Sequence, residues 1–161
     1  MDDPHDTPPR TETPQDAGPV LFAVFREIGI IQQLSSALLQ KRLPDGLHPS
    51  HFALLSNLTR LGDGKTPQAL TAAFQVPKGT MTNTLTVLDA RGLIDLVPNP
   101  DDRRSKLVYV TDAGRRFHDD AIAALGPALE NVLTGLPSVD FASLLPDLQT
   151  IRAFLDDNRD L

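Results

Sequence analysis

The sequence contains no cysteine, and this absence excludes several kinds of chemistry. Without a thiol, the chain forms no disulfide, no zinc site with thiolate ligands and no redox switch based on cysteine oxidation. The sequence also lacks a phosphate-binding glycine loop, a nucleophile elbow and a carboxylate–histidine cluster with metal-ligand spacing. We therefore expect a protein that is not an enzyme and that needs no cofactor.

Long hydrophobic runs are also scarce, and we find no apolar segment that would be long enough to cross a bilayer. The opening stretch MDDPHDTPPRTETPQDAGP is acidic, rich in proline and without an apolar core. Residues 1–17 are therefore predicted to form a disordered leader rather than a signal peptide. The expectation is a soluble cytoplasmic protein with no membrane partner.

Charge is distributed unevenly along the chain, whose net charge is −6. Residues 48–116 contain nine Lys and Arg against six Asp, so the acidic excess lies in the two ends. A basic middle between acidic ends is typical of a nucleic-acid-binding surface on an acidic body. The imbalance is small, and chance variation of surface charge explains it equally well.

Apolar periodicity and turn residues predict a mainly α-helical chain with one β-hairpin. Helices are predicted at 20–43, 49–62, 67–75, 80–92, 112–136 and 139–158, and strands at 93–97 and 106–110. The first helix is apolar nearly all round, so we expect a second subunit to cover part of it. Pro146 predicts either a kink in the last helix or a helix that begins near that residue.

The two short helices at 67–75 and 80–92 form a helix-turn-helix pattern, because the second is polar at its N-terminal end. The two strands follow directly and are joined by PNPDDRRS. A helix-turn-helix followed by a two-stranded hairpin is a winged helix, in which the cationic loop is the wing.

The stretch LDARGLIDLVPNPDDRRSKLVYVTDAG resembles the MarR family of transcriptional regulators, and the resemblance covers about residues 47–114. After the leader at 1–17, it implies an N-terminal dimerisation helix at 18–46, a DNA-binding domain at 47–114 and C-terminal dimerisation helices at 115–161. One departure is Leu96, which stands where the family usually has an arginine that could clamp the DNA backbone.

The resemblance also implies a function. We expect a homodimer that binds double-stranded DNA at a pseudo-palindromic operator, represses transcription and is associated with the nucleoid. A small aromatic effector is expected to regulate it, in a pocket where the first, second and fifth helices meet. The alternative is a winged-helix module that binds protein and not DNA, since one fold hosts several functions.

Eleven residues are the candidate DNA contacts. Short polar groups on the second short helix suit base edges, Lys78 suits phosphate, and Arg104 is the best candidate for entering the minor groove. Asp102 is expected to hold a neighbouring arginine by a charge-assisted bond. The full set is Thr66, Gln68, Lys78, Thr80, Thr82, Asn83, Thr86, Asp102, Arg103, Arg104 and Lys106.

Several of these side chains have a simpler structural interpretation. Thr66 and Thr80 could be helix N-caps, which is compatible with DNA contact. Outside the set, Arg115 and Arg116 could contact phosphate, but pairing with Asp119 and Asp120 four residues later is the favoured interpretation. His48 and His51 could bind a metal with a carboxylate, although surface or interface histidines are the more common case, and we predict no metal site.

Overall fold

The computed structural model describes residues 17–160, which form six α-helices and one two-stranded antiparallel sheet. This architecture confirms the predicted fold class. These residues fall into two compact units that divide between Leu54 and Leu55. The leader predicted at 1–17 lies outside the described residues, apart from Ala17. The elements are α1 (Ala17–Gln40), α2 (Pro49–Leu61), α3 (Pro67–Phe74), α4 (Lys78–Ala90), β1 (Ile94–Pro98), β2 (Lys106–Val110), α5 (Asp112–Gly135) and α6 (Phe141–Asp157).

The first unit consists mostly of α1, whose apolar side chains are largely exposed. Leu39 is its only buried residue, whereas Phe22 is 71% and Leu34 68% exposed. By length and composition alone, α1 is apolar enough to cross a membrane, with a mean hydropathy of 1.2. The expectation that no segment meets this criterion is therefore wrong. One such helix is weak evidence for a membrane span, because apolar helices of soluble proteins meet the same criterion.

The second unit has a leucine-rich core built from the helix-turn-helix and the hairpin. The predicted stripe of Met81, Leu85 and Leu88 is buried, which confirms the orientation of α4. Other fully buried side chains in this unit are Leu55, Leu58, Leu70, Ile94 and Val108. Because this face of α4 is buried in the core, its opposite face is left to solvent.

The hairpin pairs Ile94 with Val110 at one end and Pro98 with Lys106 at the other. The loop between α2 and α3, predicted only as a turn, forms an isolated antiparallel bridge with β2 between Lys65 and Val108. The N–H of Gly64 donates to the carbonyl of Val108 at 2.8 Å, and the N–H of Val108 donates to Lys65 at 3.0 Å. The helix-turn-helix and the wing therefore share one hydrogen-bonded framework.

The start of α5 packs tightly against the hairpin. Thr111 is its N-cap: its Oγ1 accepts from the N–H of Gly114 at 3.0 Å and donates to the carbonyl of Gly92 at 2.7 Å. A Cβ added to Gly114 would lie 2.1 Å from the carbonyl oxygen of Leu93. No residue with a side chain fits here unless the backbone at Leu93, just before β1, moves.

The predicted pairing of Arg115 with Asp119 is wrong. Instead, Nη2 of Arg115 donates to Oδ2 of Asp63 at 2.9 Å, and Asp63 lies in the loop between α2 and α3. Arg115 therefore pairs with Asp63, 52 residues away in the sequence, and not with Asp119 on its own helix. Arg116 makes no ion pair with Asp120 within residues 17–160.

The last helix begins at Phe141 and runs through Pro146. Of the two predicted alternatives, the one in which the helix begins near Pro146 is therefore wrong. Asp140 is its N-cap and accepts from the N–H groups of Ala142 and Ser143. Hydrogen bonds from the hydroxyl and the backbone N–H of Ser143 lower the pKa of Asp140. The capping bonds of Asp140, and not the position of Pro146, therefore determine where the helix begins.

Candidate nucleic-acid interface

The side of α4 opposite its buried stripe is polar and exposed. Thr80, Thr82, Asn83 and Thr86 all lie on this surface, as the sequence predicts for a recognition helix. The helix begins at Lys78 and its N-cap is Pro77, so the alternative that Thr80 caps the helix is wrong. Pro77 offers no side-chain acceptor, which leaves the first N–H groups of α4 without a cap from that residue.

The threonine hydroxyls of α4 bond to their own helix. Thr82 Oγ1 donates to the carbonyl of Lys78 at 2.9 Å, and Thr86 Oγ1 donates to the carbonyl of Thr82 at 2.9 Å. Thr84, which is buried, makes the same bond to Thr80 at 3.0 Å. Such bonds four residues back occupy the hydroxyl proton and leave the methyl group and the oxygen lone pairs.

A groove of about 360 Å³ lies between α3 and α4. It is lined by Pro67, Gln68, Thr71, Lys78, Met81 and Thr82. The structure thus brings together three of the predicted contacts, Gln68, Lys78 and Thr82. Thr66 lies at the start of α3 as its N-cap, since its Oγ1 accepts from Ala69 at 3.1 Å.

The wing tip is held by short hydrogen bonds between its own residues. The side chain of Asn99 donates to Ser105 Oγ at 3.0 Å and accepts from the N–H of Asp101 at 3.0 Å. Asp102 Oδ1 accepts from the backbone N–H of Arg104 at 3.0 Å. The expectation that Asp102 bonds to an arginine side chain is therefore wrong, because its carboxylate holds the backbone of the turn instead.

The cationic side chains of the wing are exposed. Arg103, Arg104 and Lys106 form no ion pair within residues 17–160. No hydrogen bond in that part of the chain links the wing tip to the groove between α3 and α4. Leu96 is half-buried and pairs with Val108 in the hairpin, so this position presents no cation.

His48 and His51 have structural roles at the start of α2. Their rings stack with centroids 5.6 Å apart, and Nδ1 of His51 accepts from the N–H of His48 at 2.9 Å. His48 Nδ1 lies 3.1 Å from Oε1 of Gln40. Within residues 17–160, no group of three or more His, Cys, Asp and Glu side chains is arranged to hold a metal ion.

Two contributors to this surface were missed in the sequence. Asp63 holds the base of the wing, because the N–H of Val110 and the guanidinium of Arg115 both donate to its Oδ2. Asn99 closes the wing tip. For Asn99 a signal existed, since Asn and Asp in turns commonly accept from the backbone N–H two residues on.

Comparison with known proteins shows a similarity to one family. Residues 45–105 match the model of the MarR family. The winged-helix region of this chain is therefore similar to MarR-family proteins. The multiple antibiotic resistance protein MarR of Escherichia coli is 29% identical over 115 residues, which are 71% of this chain and 79% of that protein.

Solved structures of MarR proteins have the same fold. The reduced form of MarR from E. coli gives a TM-score of 0.65 at 28% identity, covering 78% of this chain and 92% of that one. A mutant of the same protein complexed with operator DNA gives 0.64 at 24% identity, covering 86% and 97%. These matches agree with the resemblance to the MarR family that the sequence motifs indicate.

Proposed function

We propose that this protein is a MarR-family repressor that binds a pseudo-palindromic operator as a homodimer. The observation that carries the proposal is the exposed polar face of α4, in the same compact unit as an exposed wing with two arginines. In the family, the E. coli relative has been solved with operator DNA, which supports the same partner here. The DNA-binding domain is proposed to span 47–114, as the sequence predicts.

The contacts with DNA divide into three kinds. Thr80, Thr82, Asn83 and Thr86 face the base edges of the major groove when α4 docks there. The set proposed to contact phosphates comprises Thr66, Gln68, Lys78, Arg103 and Lys106. Arg104 enters the minor groove, where a narrow groove concentrates negative potential, and Asp102 keeps the backbone of the turn in place.

The homodimer is supported by the apolar surface that each unit exposes separately. The first unit exposes Phe22, Ile31 and Leu34 of α1. The second exposes apolar side chains of α5 and α6, among them Leu129, Leu133, Leu145, Phe154 and Leu155. Surfaces of this kind are typical of obligate interfaces between copies of one chain. In such a dimer the two α4 helices lie about 34–36 Å apart, one turn of DNA.

Regulation by a small aromatic ligand completes the proposal and comes from the family resemblance. The ligand must bind the DNA-competent and DNA-incompetent states with different affinity, because only a difference shifts their populations. The absence of cysteine excludes thiol oxidation as the signal. The protein acts in the cytoplasm, associated with the nucleoid through its operator.

The test is selection of binding sites from random duplex DNA with the purified full chain, followed by sedimentation of the complex. We expect enrichment of an inverted repeat, bound as two chains per duplex, with an affinity that falls steeply as salt rises. A folded protein that enriches no sequence would support the protein-binding alternative instead. Transcription in vitro from a promoter carrying the selected site then tests repression.

A further inference from the structure

The recognition face of α4 carries an unusual set of side chains for reading DNA. The helix is KGTMTNTLTVLDA, in which Lys78, at the first position, is the only basic residue. The commonest specific contact in the major groove is an arginine or lysine that bonds to both O6 and N7 of guanine. Beyond its first turn, α4 has no side chain that can make this contact.

The threonine side chains further limit the kinds of base contact that α4 can make. Thr82 and Thr86 lie four residues apart on one exposed side of the helix, and both hydroxyls donate to the helix backbone at 2.9 Å. Keeping these bonds leaves a methyl group and hydroxyl lone pairs on each side chain. Asn83, next to Thr82 and also exposed, has the one carboxamide of α4.

We infer that α4 reads A·T base pairs, with Thr82 and Thr86 packing against thymine methyl groups and Asn83 bonding to N6 and N7 of adenine. This inference rests on the proposed function and adds the residues that determine specificity. Thymine is the only base with a C5 methyl group, and adenine is the base whose N6 donor and N7 acceptor match a carboxamide. The preferred half-site therefore has adenine and thymine where α4 docks.

The experiment combines base analogues with protein variants on the selected duplex. Deoxyuridine in place of thymidine removes the methyl group alone, and 7-deazaadenine removes the N7 acceptor. Thr82→Ser and Thr86→Ser remove the methyl group of the side chain and keep the hydroxyl. Thr82→Val and Thr86→Val keep the methyl group and remove the hydroxyl. Both positions are exposed, so the four variants keep the core, which far-UV circular dichroism verifies.

The expected result is that each lost methyl contact weakens binding about fourfold per half-site. The variant that carries both Thr82→Ser and Thr86→Ser should bind the thymidine and deoxyuridine duplexes with equal affinity. The valine variants should bind as the native chain does. Asn83→Ala should abolish the preference for adenine over 7-deazaadenine.

Two results would overturn the inference while leaving the proposed function intact. One is a selected half-site in which α4 docks on G·C pairs. The other is a loss of binding in the valine variants with none in the serine variants, because the hydroxyl proton would then be the reading group. Failure to enrich any sequence is a different outcome, since it removes the proposed function and this inference with it.

Discussion

Oδ2 of Asp63 accepts from Nη2 of Arg115 at 2.9 Å and from the backbone N–H of Val110 at 3.2 Å. One carboxylate oxygen thus joins the loop before α3, the end of β2 and the first turn of α5. The side chain of Asp63 is 24% exposed and that of Arg115 is 45% exposed. The ion pair is therefore partly screened by water, whereas the backbone bond supports a strand end.

We expect the two bonds of Asp63 to contribute unequally to stability. Asp63→Asn keeps an acceptor for Val110 and removes the ion pair, so the free energy of unfolding should fall by less than about 1 kcal/mol. Asp63→Ala removes both and should lower it by about 1–2 kcal/mol. Urea unfolding measures both values. Equal losses in the two variants would mean that the bond to Val110 contributes nothing.

Gly114 provides a sharper test of packing. Gly114→Ala places a Cβ 2.1 Å from the carbonyl oxygen of Leu93 and 2.9 Å from Cγ1 of Val110. Backbone has to move, so we expect a loss of about 3 kcal/mol or more in the free energy of unfolding. Gly135→Ala, in the same helix with nothing within 4 Å, is the matched control and should be nearly neutral. Similar losses in both variants would contradict the close packing.

The elements of the fold were predictable because each carries its own local signal. The predicted first helix, 20–43, is observed as Ala17–Gln40, and the strand predicted at 106–110 is observed as Lys106–Val110. The observed helix ends differ from the predicted ends by a few residues, because the hydrogen bonds that cap a helix involve only a few atoms. The polar face of α4 followed from the same periodicity, since its stripe of Met81, Leu85 and Leu88 had to be buried.

The contacts that build the site were less predictable, because local sequence does not determine which distant groups meet. Arg115 had an acceptable acceptor four residues away at Asp119, yet folding brings Asp63 within 2.9 Å. The pairing of Lys65 with Val108 likewise depends on where the loop meets the hairpin. The DNA contacts themselves stay predictions, since they concern a molecule outside the chain.

Order at the wing tip should depend on Asp102 and not on its neighbour. Asp102→Ala removes the acceptor for the N–H of Arg104 and should increase fast backbone motion of residues 102–105. Asp101→Ala removes the same charge but no side-chain bond of the described tip, and should leave the motion unchanged. Backbone ¹⁵N heteronuclear NOE values measure the difference. Equal changes in the two variants would exclude a role for the bond to Arg104.

The two wing arginines should differ in their effect on DNA binding. Asp102 holds the backbone at Arg104, whereas the N–H of Arg103 has no such bond among the described contacts. We therefore expect Arg104→Ala to weaken operator binding by about 1–3 kcal/mol and Arg103→Ala by less. Each should also flatten the dependence of affinity on salt, because each removes a cation that displaces counterions from DNA. Fluorescence anisotropy at several salt concentrations separates the two effects. A larger loss for Arg103→Ala would indicate that Arg103, and not Arg104, makes the stronger contact with DNA. Unchanged binding in both variants would indicate that the wing does not contact DNA.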